Sequence, residues 1–407
     1  MNPKLKKILS LLFIVCSVAA VLLIAFNNAE VGDVWAALGS LNPAWLLGAF
    51  GCWAAYLGFE SLSAWLCLRH QGCRISLGRT LIATVIGLFY SNITPGAAGG
   101  QPMEVYTLRK AGVSVGYGTM MLTIRFAANQ LAMTLLGLVL FLINRDFVYR
   151  QLSGMIWVVR LGWVLNFSVV PIVLLAAFRQ DWIRRVASRI IRFLAKIRIL
   201  KKPEVTESSV FHILESYHEA MVNLFRAPGQ VLLQFFGAVL AQLGLASIVV
   251  CLYRAFGFHE VPVLRLLTLA MLLYISVSYT PLPGASGAQE GGFLIFYQGI
   301  FTGGTIGVAL LVWRFFNYYL SLLVGALVLI LERLLPQARK DPERATDSET
   351  ATETGPGKAT EPGEATDSGT ATTSEPWEPA RRRRPRRRKH RMNPRGRRKR
   401  PKRSAKG

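Results

Sequence analysis

The sequence has 407 residues, of which 52% are hydrophobic, and its mean hydropathy of +0.36 excludes a chain made only of soluble domains. The net charge of +24 would suggest a nucleic-acid partner, but seventeen Lys and Arg residues lie within residues 381–406, which leaves +7 for residues 1–380. Such an excess is ordinary for the cytoplasmic loops of a membrane protein, so nucleic acid is not expected as a partner.

Residues 8–26 form an apolar run after three lysines. The run is longer than the apolar region of a signal peptide, and residues 27–30 match a cleavage site poorly, so we expect a retained first span with a cytoplasmic N-terminus. A second span is predicted over residues 44–68, which tryptophans flank. Glu60 lies inside this span, where it would serve as a relay, as the partner of a buried arginine or as an interfacial residue.

The next apolar stretch, residues 81–93, is too short for a crossing, which needs roughly 20 residues. It leads into the sequence SNITPGAAGGQPME at residues 91–104, where proline and glycine interrupt a helix. If this were a full span, the basic region 179–202 would lie outside the cell, against the positive-inside rule. We therefore predict a re-entrant hairpin that enters from the cytoplasm and returns to it.

The remaining elements follow the same reasoning. In chain order we predict a third span over 115–143, an outer loop over 144–153, a fourth span over 156–178, a cytoplasmic amphipathic segment over 179–230, a fifth span over 231–253, a second re-entrant hairpin over 263–301 and a sixth span over 306–331. The second hairpin contains SYTPLPGASGAQE at residues 278–290, an altered copy of the first break.

The predicted fold is an all-α polytopic membrane protein with about six full spans and two re-entrant hairpins. Repeat A, residues 44–143, and repeat B, residues 231–331, contain the same unit with opposite orientation, as in many secondary transporters. We expect the hairpins to meet inside the bilayer and a substrate to bind between them.

Beyond residue 335 the composition changes. Residues 336–380 are predicted to form a disordered acidic linker rich in Thr, Pro and Gly, and residues 381–407 a disordered Arg-rich tail. The tail would bind anionic lipid headgroups, the acidic linker or RNA. Because no aromatic residue follows Trp377, a role at the membrane surface is favoured.

Two arginines, Arg125 and Arg314, lie within apolar segments. An arginine at the centre of a membrane-spanning helix raises the free energy of insertion into the bilayer by about 2.5–3.5 kcal/mol. Glu104 and Glu290, one in each hairpin, are their expected partners. The pairs would be purely structural, or the guanidinium groups would bind the phosphate of a lipid headgroup. The predicted lipid site also includes these residues of the two breaks: Thr94, Pro95, Gly96 and Gly99, and Pro283, Gly284 and Gly287.

Other kinds of site find no support in the sequence. There is no nucleophile elbow, no Walker loop and no dinucleotide-binding glycine motif, so the catalytic residues, if any, are unknown and no cofactor is expected. The five cysteines are odd in number and lack C-x-x-C spacing, which argues against a disulfide framework and a metal site.

Two motifs, TPGAAGGQPMEVYTLRKAGVS with Arg125 and TPLPGASGAQEGGF with Arg314, resemble the lysylphosphatidylglycerol synthase transmembrane-region family of flippase-like proteins. The resemblance covers residues 8–335, so residues 1–335 would form one transmembrane domain of this type. Full-length members, the multiple peptide resistance factors, add a soluble domain that transfers lysine from lysyl-tRNA to phosphatidylglycerol. Their membrane module is held to move the product to the outer leaflet.

The resemblance implies a protein of the bacterial inner membrane that binds or translocates an anionic or aminoacylated phospholipid and so affects surface charge and resistance to cationic peptides. The alternative is phosphatidylglycerol lysyltransferase activity. That activity would need a separate aminoacyltransferase chain, because a low-complexity tail cannot build a pocket for the tRNA. A third alternative is a scaffold that anchors a partner through its basic tail.

Overall fold

The computed structural model describes residues 37–178, 203–302 and 304–334, together with residues 185, 188, 189, 191 and 192. The first span predicted over 8–26, most of residues 179–202 of the predicted amphipathic segment, the linker over 336–380 and the tail over 381–407 lie outside these residues.

All regular secondary structure in the described ranges is helical. The helices are α1 Pro43–His70, α2 Leu77–Ile93, α3 Gly100–Lys110, α4 Val115–Ile143, α5 Arg145–Gln151, α6 Ile156–Phe178, α7 Pro203–Phe225, α8 Pro228–Ala255, α9 Val263–Val277, α10 Ala288–Phe296 and α11 Ile306–Leu334. A π-helical turn, Phe315–Tyr319, interrupts α11. Helices α4, α8 and α11 are long and apolar enough to cross a membrane, with hydropathies of 2.0, 2.3 and 1.8. The predicted all-α polytopic membrane fold is confirmed.

Both predicted breaks separate two packed helical arms. Helices α2 and α3 pack closely because glycine lies at their contact: a Cβ atom added at Gly100 would lie 1.8 Å from the Ser91 hydroxyl. Helices α9 and α10 pack likewise, with Gly292 against Leu273. Each break contains a short 3₁₀ turn, Pro95–Ala97 or Pro283–Ala285.

The two breaks share one backbone conformation and contact each other. Gly96 and Ala97 have φ angles of 57° and 57°, while Gly284 and Ala285 have 58° and 49°. The left-handed region is costly for alanine, so its use at equivalent positions indicates that the repeat is structural as well as sequential. The N–H of Gly96 donates a hydrogen bond of 2.9 Å to the carbonyl of Pro281, which confirms that the breaks meet.

The helices that lead the two repeats, α1 and α8, are antiparallel. Near one end, Gly48 lies against Cys251, whose Sγ is 3.8 Å from that of Cys52. Near the other end, the side-chain amide of Gln234 donates to the carbonyl of Ser63 at 2.9 Å. Residue numbers thus rise along one helix as they fall along the other. This is the relation that two inverted repeats require of their equivalent helices.

The main differences from the predicted boundaries lie in the first outer loop and in the two hairpins. The outer loop predicted over 144–153 is mostly helix α5, because Val148 and Leu152, four residues apart, are both buried in the core. Helix α2 begins at Leu77 instead of residue 81, since the hydroxyl of Ser76 accepts a hydrogen bond from the Arg79 N–H and caps the helix. The second hairpin was predicted to extend to residue 301, but its second helix, α10, ends at Phe296.

Membrane topology is open to a direct test. Reporters fused after Lys110, Lys202 or Arg339 are expected to read as cytoplasmic, and fusions after Ser153 or Glu260 as external, because this arrangement keeps every basic loop inside. The measurement compares a reporter enzyme that works only outside the cytoplasm with one that works only inside. External activity at Lys202 would contradict the inverted-repeat topology.

Candidate functional site

Arg314 lies in α11 immediately before the π-helical turn and is completely buried. Its Nε donates to Oε1 of Glu290 at 2.7 Å, and Nη1 donates to Oε1 of Gln289 at 2.8 Å. Nη2 donates to the Ser286 hydroxyl at 3.2 Å, and both terminal nitrogens lie 3.3 Å from the carbonyl of Gly284. Since a guanidinium has five N–H groups in a fixed plane, Arg314 binds the second break at several points simultaneously.

The second break is shaped around this arginine. The other oxygen of Glu290 accepts the N–H of Gly287 at 2.6 Å, which places a carboxylate at the N-terminus of α10, where the helix dipole favours it. The Arg314 guanidinium also lies 5.0 Å from the centre of the Tyr318 ring, a cation–π arrangement. The Tyr318 hydroxyl donates to the carbonyl of Asn92 at 3.2 Å, which connects this group to the first hairpin.

Arg125, in α4, belongs to a second buried group with a different charge balance. Its Nε lies 3.3 Å from Oε2 of Glu60, Nη2 pairs with Glu104, and Nη1 donates to the Thr84 hydroxyl at 3.3 Å. Asn129 donates to the remaining oxygen of Glu60 at 2.8 Å. Glu60 is therefore a partner of a buried arginine, one of the alternatives left open by the sequence.

The two groups differ in charge and in the exposure of their arginine. Arg314 faces one carboxylate, whereas Arg125 faces two, Glu60 and Glu104, so the Arg125 group has one carboxylate in excess. Among the described residues Arg125 donates hydrogen bonds to Thr84 and Glu104, while its contact with Glu60 is an ion pair. The side chain of Arg125 is 13% exposed, against 1% for Arg314.

A cavity of about 160 Å³ lies between the hairpins, next to Arg314. Its walls come from α1, α2, α8, α10, α11 and the second break. The polar residues that line it besides Arg314 are Tyr56, Asn92, Gln289, Asn317, Tyr318 and Ser321. The volume holds several water molecules or one small polar group.

The predicted site residues are only partly brought together here. Arg314 and Gly284 line the cavity, and Glu290 holds Arg314 in place. Glu104 pairs with Arg125 in the other group. Pro283 is buried and Gly287 is exposed.

The predicted site residues of the first break, from Thr94 to Gly99, do not line the cavity. The Thr94 hydroxyl accepts the N–H of Gly99 at 2.9 Å and donates to the carbonyl of Tyr90 at 2.6 Å, which closes the break locally. Pro95 and Gly96 are exposed. Their contribution is to position the hairpin tip.

Sequence reasoning missed the neutral polar residues of the site, namely Asn92, Gln289, Asn317 and Thr84. Gln289 offered a signal, since glutamine follows the glycines in both copies of the motif, as Gln101 and Gln289. The others are ordinary residues of helices, and only the packing of distant segments brings them to the site.

Comparison with known proteins adds two similarities. The family described as "Lysylphosphatidylglycerol synthase TM region" matches residues 7–325. The chain is also similar to a UPF0104 membrane protein of Archaeoglobus fulgidus, with 25% identity over 316 residues. That match covers 76% of this chain and 92% of the archaeal protein.

Proposed function

Because the chain belongs to the lysylphosphatidylglycerol synthase transmembrane-region family, we propose that it binds or translocates an anionic or aminoacylated phospholipid. The observation that carries this proposal is the cavity at the meeting point of two interrupted helices, lined by a buried arginine within an otherwise apolar helical protein. Broken helices at a repeat interface are where membrane transporters bind their substrates.

The size of the cavity supports a headgroup as the bound part. At about 160 Å³ it is smaller than a typical small-molecule pocket of roughly 300–1,000 Å³. A phosphate and its nearest atoms would fit, while acyl chains would stay outside. Apolar side chains on the outer faces of the spans, such as Leu142, Phe236 and Leu323, are exposed and suit contact with acyl chains.

Charge supports a headgroup with both an acidic and an amino part. Tyr56 lines the cavity, and Glu60 follows one helical turn later, about 6 Å along the axis of α1. The surplus carboxylate of the Arg125 group would therefore lie within reach of an amino group on a headgroup whose phosphate occupies the cavity. An aminoacylated phospholipid has both groups, and a separate aminoacyltransferase chain would supply it.

Translocation of such a lipid would alter the charge of the cell surface and thereby resistance to cationic peptides. The protein would act in the bacterial cell membrane with both termini in the cytoplasm. These positions agree with the distribution of basic loops along the sequence.

The experiment that tests the function measures movement of a fluorescent phospholipid across vesicles containing the purified protein. Arg125→Lys keeps the charge but replaces a planar fork by a single ammonium, so we expect translocation to fall at least tenfold while membrane insertion is retained. Arg254→Lys is the matched control, because Arg254 also donates within the protein, to Phe258 at 3.3 Å, but lies outside the site. Normal translocation by the Arg125→Lys, Arg314→Lys double variant would exclude the lipid role of the arginines and leave their pairs structural.

A further inference from the structure

We propose that the side-chain amides of Asn92 and Gln289 form the phosphate-binding subsite of the cavity, and that Arg314 is a positioning residue behind them. This inference rests on the proposed lipid function and assigns the subsite to two residues, one from each hairpin. Neither residue was a candidate from the sequence.

Arg314 is unsuited to direct contact because its hydrogen bonds are already made. Each of its three nitrogens has an acceptor within the protein, and the residue is buried, with only 1% of its side chain exposed. To reach a ligand it would have to release Glu290 or the second break, leaving a buried polar group unpaired. It contributes positive potential to the cavity and a fixed orientation to Gln289.

Gln289 has a free donor because its oxygen is occupied. Oε1 accepts from Nη1 of Arg314 at 2.8 Å and from Nδ2 of Asn317 at 3.0 Å. Two donors on one side fix which end of the amide is oxygen, so the NH₂ group must point the other way. That NH₂ group has no acceptor in the part of the chain that the structure describes, and Gln289 lines the cavity.

Asn92 approaches from the opposite hairpin, in the last turn of α2. Its backbone carbonyl is held by the Tyr318 hydroxyl at 3.2 Å, and the residue lines the cavity. Its Nδ2 is buried without a hydrogen-bond partner among the described residues. An unpaired buried donor requires an explanation, and the broad terminal torsion of asparagine allows this NH₂ group to turn into the adjacent cavity.

The lining determines which ligand suits the subsite. No carboxylate lines the cavity within the described residues, and its one charged residue is Arg314. Amide donors near a positive charge favour an anionic oxygen acceptor over a cation. A phosphate has several acceptor oxygens and can accept from both hairpins together.

The test measures binding of short-chain phosphatidylglycerol and of inorganic phosphate to the full-length protein in detergent. Asn92→Leu removes the unpaired donor at similar size, and Gln289→Glu keeps an acceptor for Arg314 while replacing the NH₂ group by an oxygen. We expect each to weaken lipid binding at least tenfold, the effect of losing one hydrogen bond to a charged group. The unfolding temperature of Asn92→Leu should stay close to that of the unchanged protein.

Asn144→Leu is the control. The Asn144 amide donates to Leu140 and Thr268, at 3.3 and 3.0 Å, and does not line the cavity. This change should lower stability and leave affinity unaltered. Lipid binding that is unchanged in both Asn92→Leu and Gln289→Glu would overturn the subsite but not the lipid function.

Comparing the two ligands distinguishes a site for a lipid headgroup from a site for free phosphate. If Asn92→Leu weakens the binding of both phosphatidylglycerol and inorganic phosphate, the subsite recognises the phosphate group itself. If it weakens the binding of phosphatidylglycerol alone, the subsite recognises the esterified headgroup. Asn92-dependent binding of inorganic phosphate without lipid binding would retain the subsite and contradict the proposed function. If the unchanged protein bound neither ligand, the subsite and the proposed lipid function would both be overturned.

Discussion

Arg314→Met is expected to lower the free energy of unfolding by about 3–5 kcal/mol, because it leaves the buried carboxylate of Glu290 without its cation. Arg314 and Glu290 are 0% and 3% exposed, so bulk water has little access to the carboxylate that loses its partner. Glu290→Met should lower the free energy of unfolding by a similar amount, because it leaves the buried guanidinium of Arg314 without its carboxylate. The measurement is chemical or thermal denaturation of the purified protein in detergent.

The double variant makes the test specific. Arg314→Met combined with Glu290→Met removes both charges, so its loss should be smaller than the sum of the single losses by about 1–3 kcal/mol. The exposed pair Arg145–Asp146 is the control: its atoms lie 3.4 Å apart, but the side chains are 69% and 77% exposed. Arg145→Met should therefore cost less than about 1 kcal/mol. Additive losses at the buried pair would show that the two charges act independently.

The second large loss of stability is expected on substitution of a glycine in the second break. Gly284 has a φ of 58°, and an added Cβ would lie 2.2 Å from a carbon of the Tyr318 ring. Gly284→Ala should cost about 1–2 kcal/mol for the left-handed backbone and roughly 1–3 kcal/mol more for the clash. The readout is again the free energy of unfolding, together with lipid binding, since Tyr318 lines the cavity.

Gly96 supplies a control with the same backbone and different surroundings. Its φ is 57°, but no atom lies within 4 Å of the position that a Cβ would occupy. Gly96→Ala should show only the backbone cost of about 1–2 kcal/mol. Equal losses at the two positions would mean that the Tyr318 ring moves aside freely and does not fix the second break.

The parts of this fold that the sequence predicts are those that local chemistry determines. A cluster of proline and glycine in the middle of an apolar stretch favours an interruption of the helix, so both breaks were identifiable from residues 94–99 and 280–287 alone. An arginine in an apolar segment needs a partner, and each hairpin contains a buried glutamate that supplies it. The basic loops predicted the inverted relation of the repeats, and their orientation in the membrane stays a prediction.

Relations between distant segments were not predictable in this way. The role of Glu60 depends on a helix 65 positions later, and the sequence left three alternatives open for it. Asn92 and Gln289 are neutral amides, which occur in helices for many reasons and carry no insertion penalty large enough to single them out. Helix α5 was taken for a loop because the burial of Val148 and Leu152 depends on tertiary packing.

The hydrogen bond from Gly96 to Pro281 has a mechanical consequence. It joins the tips of two hairpins that belong to different halves of the chain. At the depth predicted for the hairpins, inside the bilayer, separating the tips would leave one backbone donor and one acceptor unpaired, a penalty of several kcal/mol. If the proposed translocation involves a cycle of opening and closing, we expect both tips to move together as one rigid body, with hinges in the outer ends of the arms.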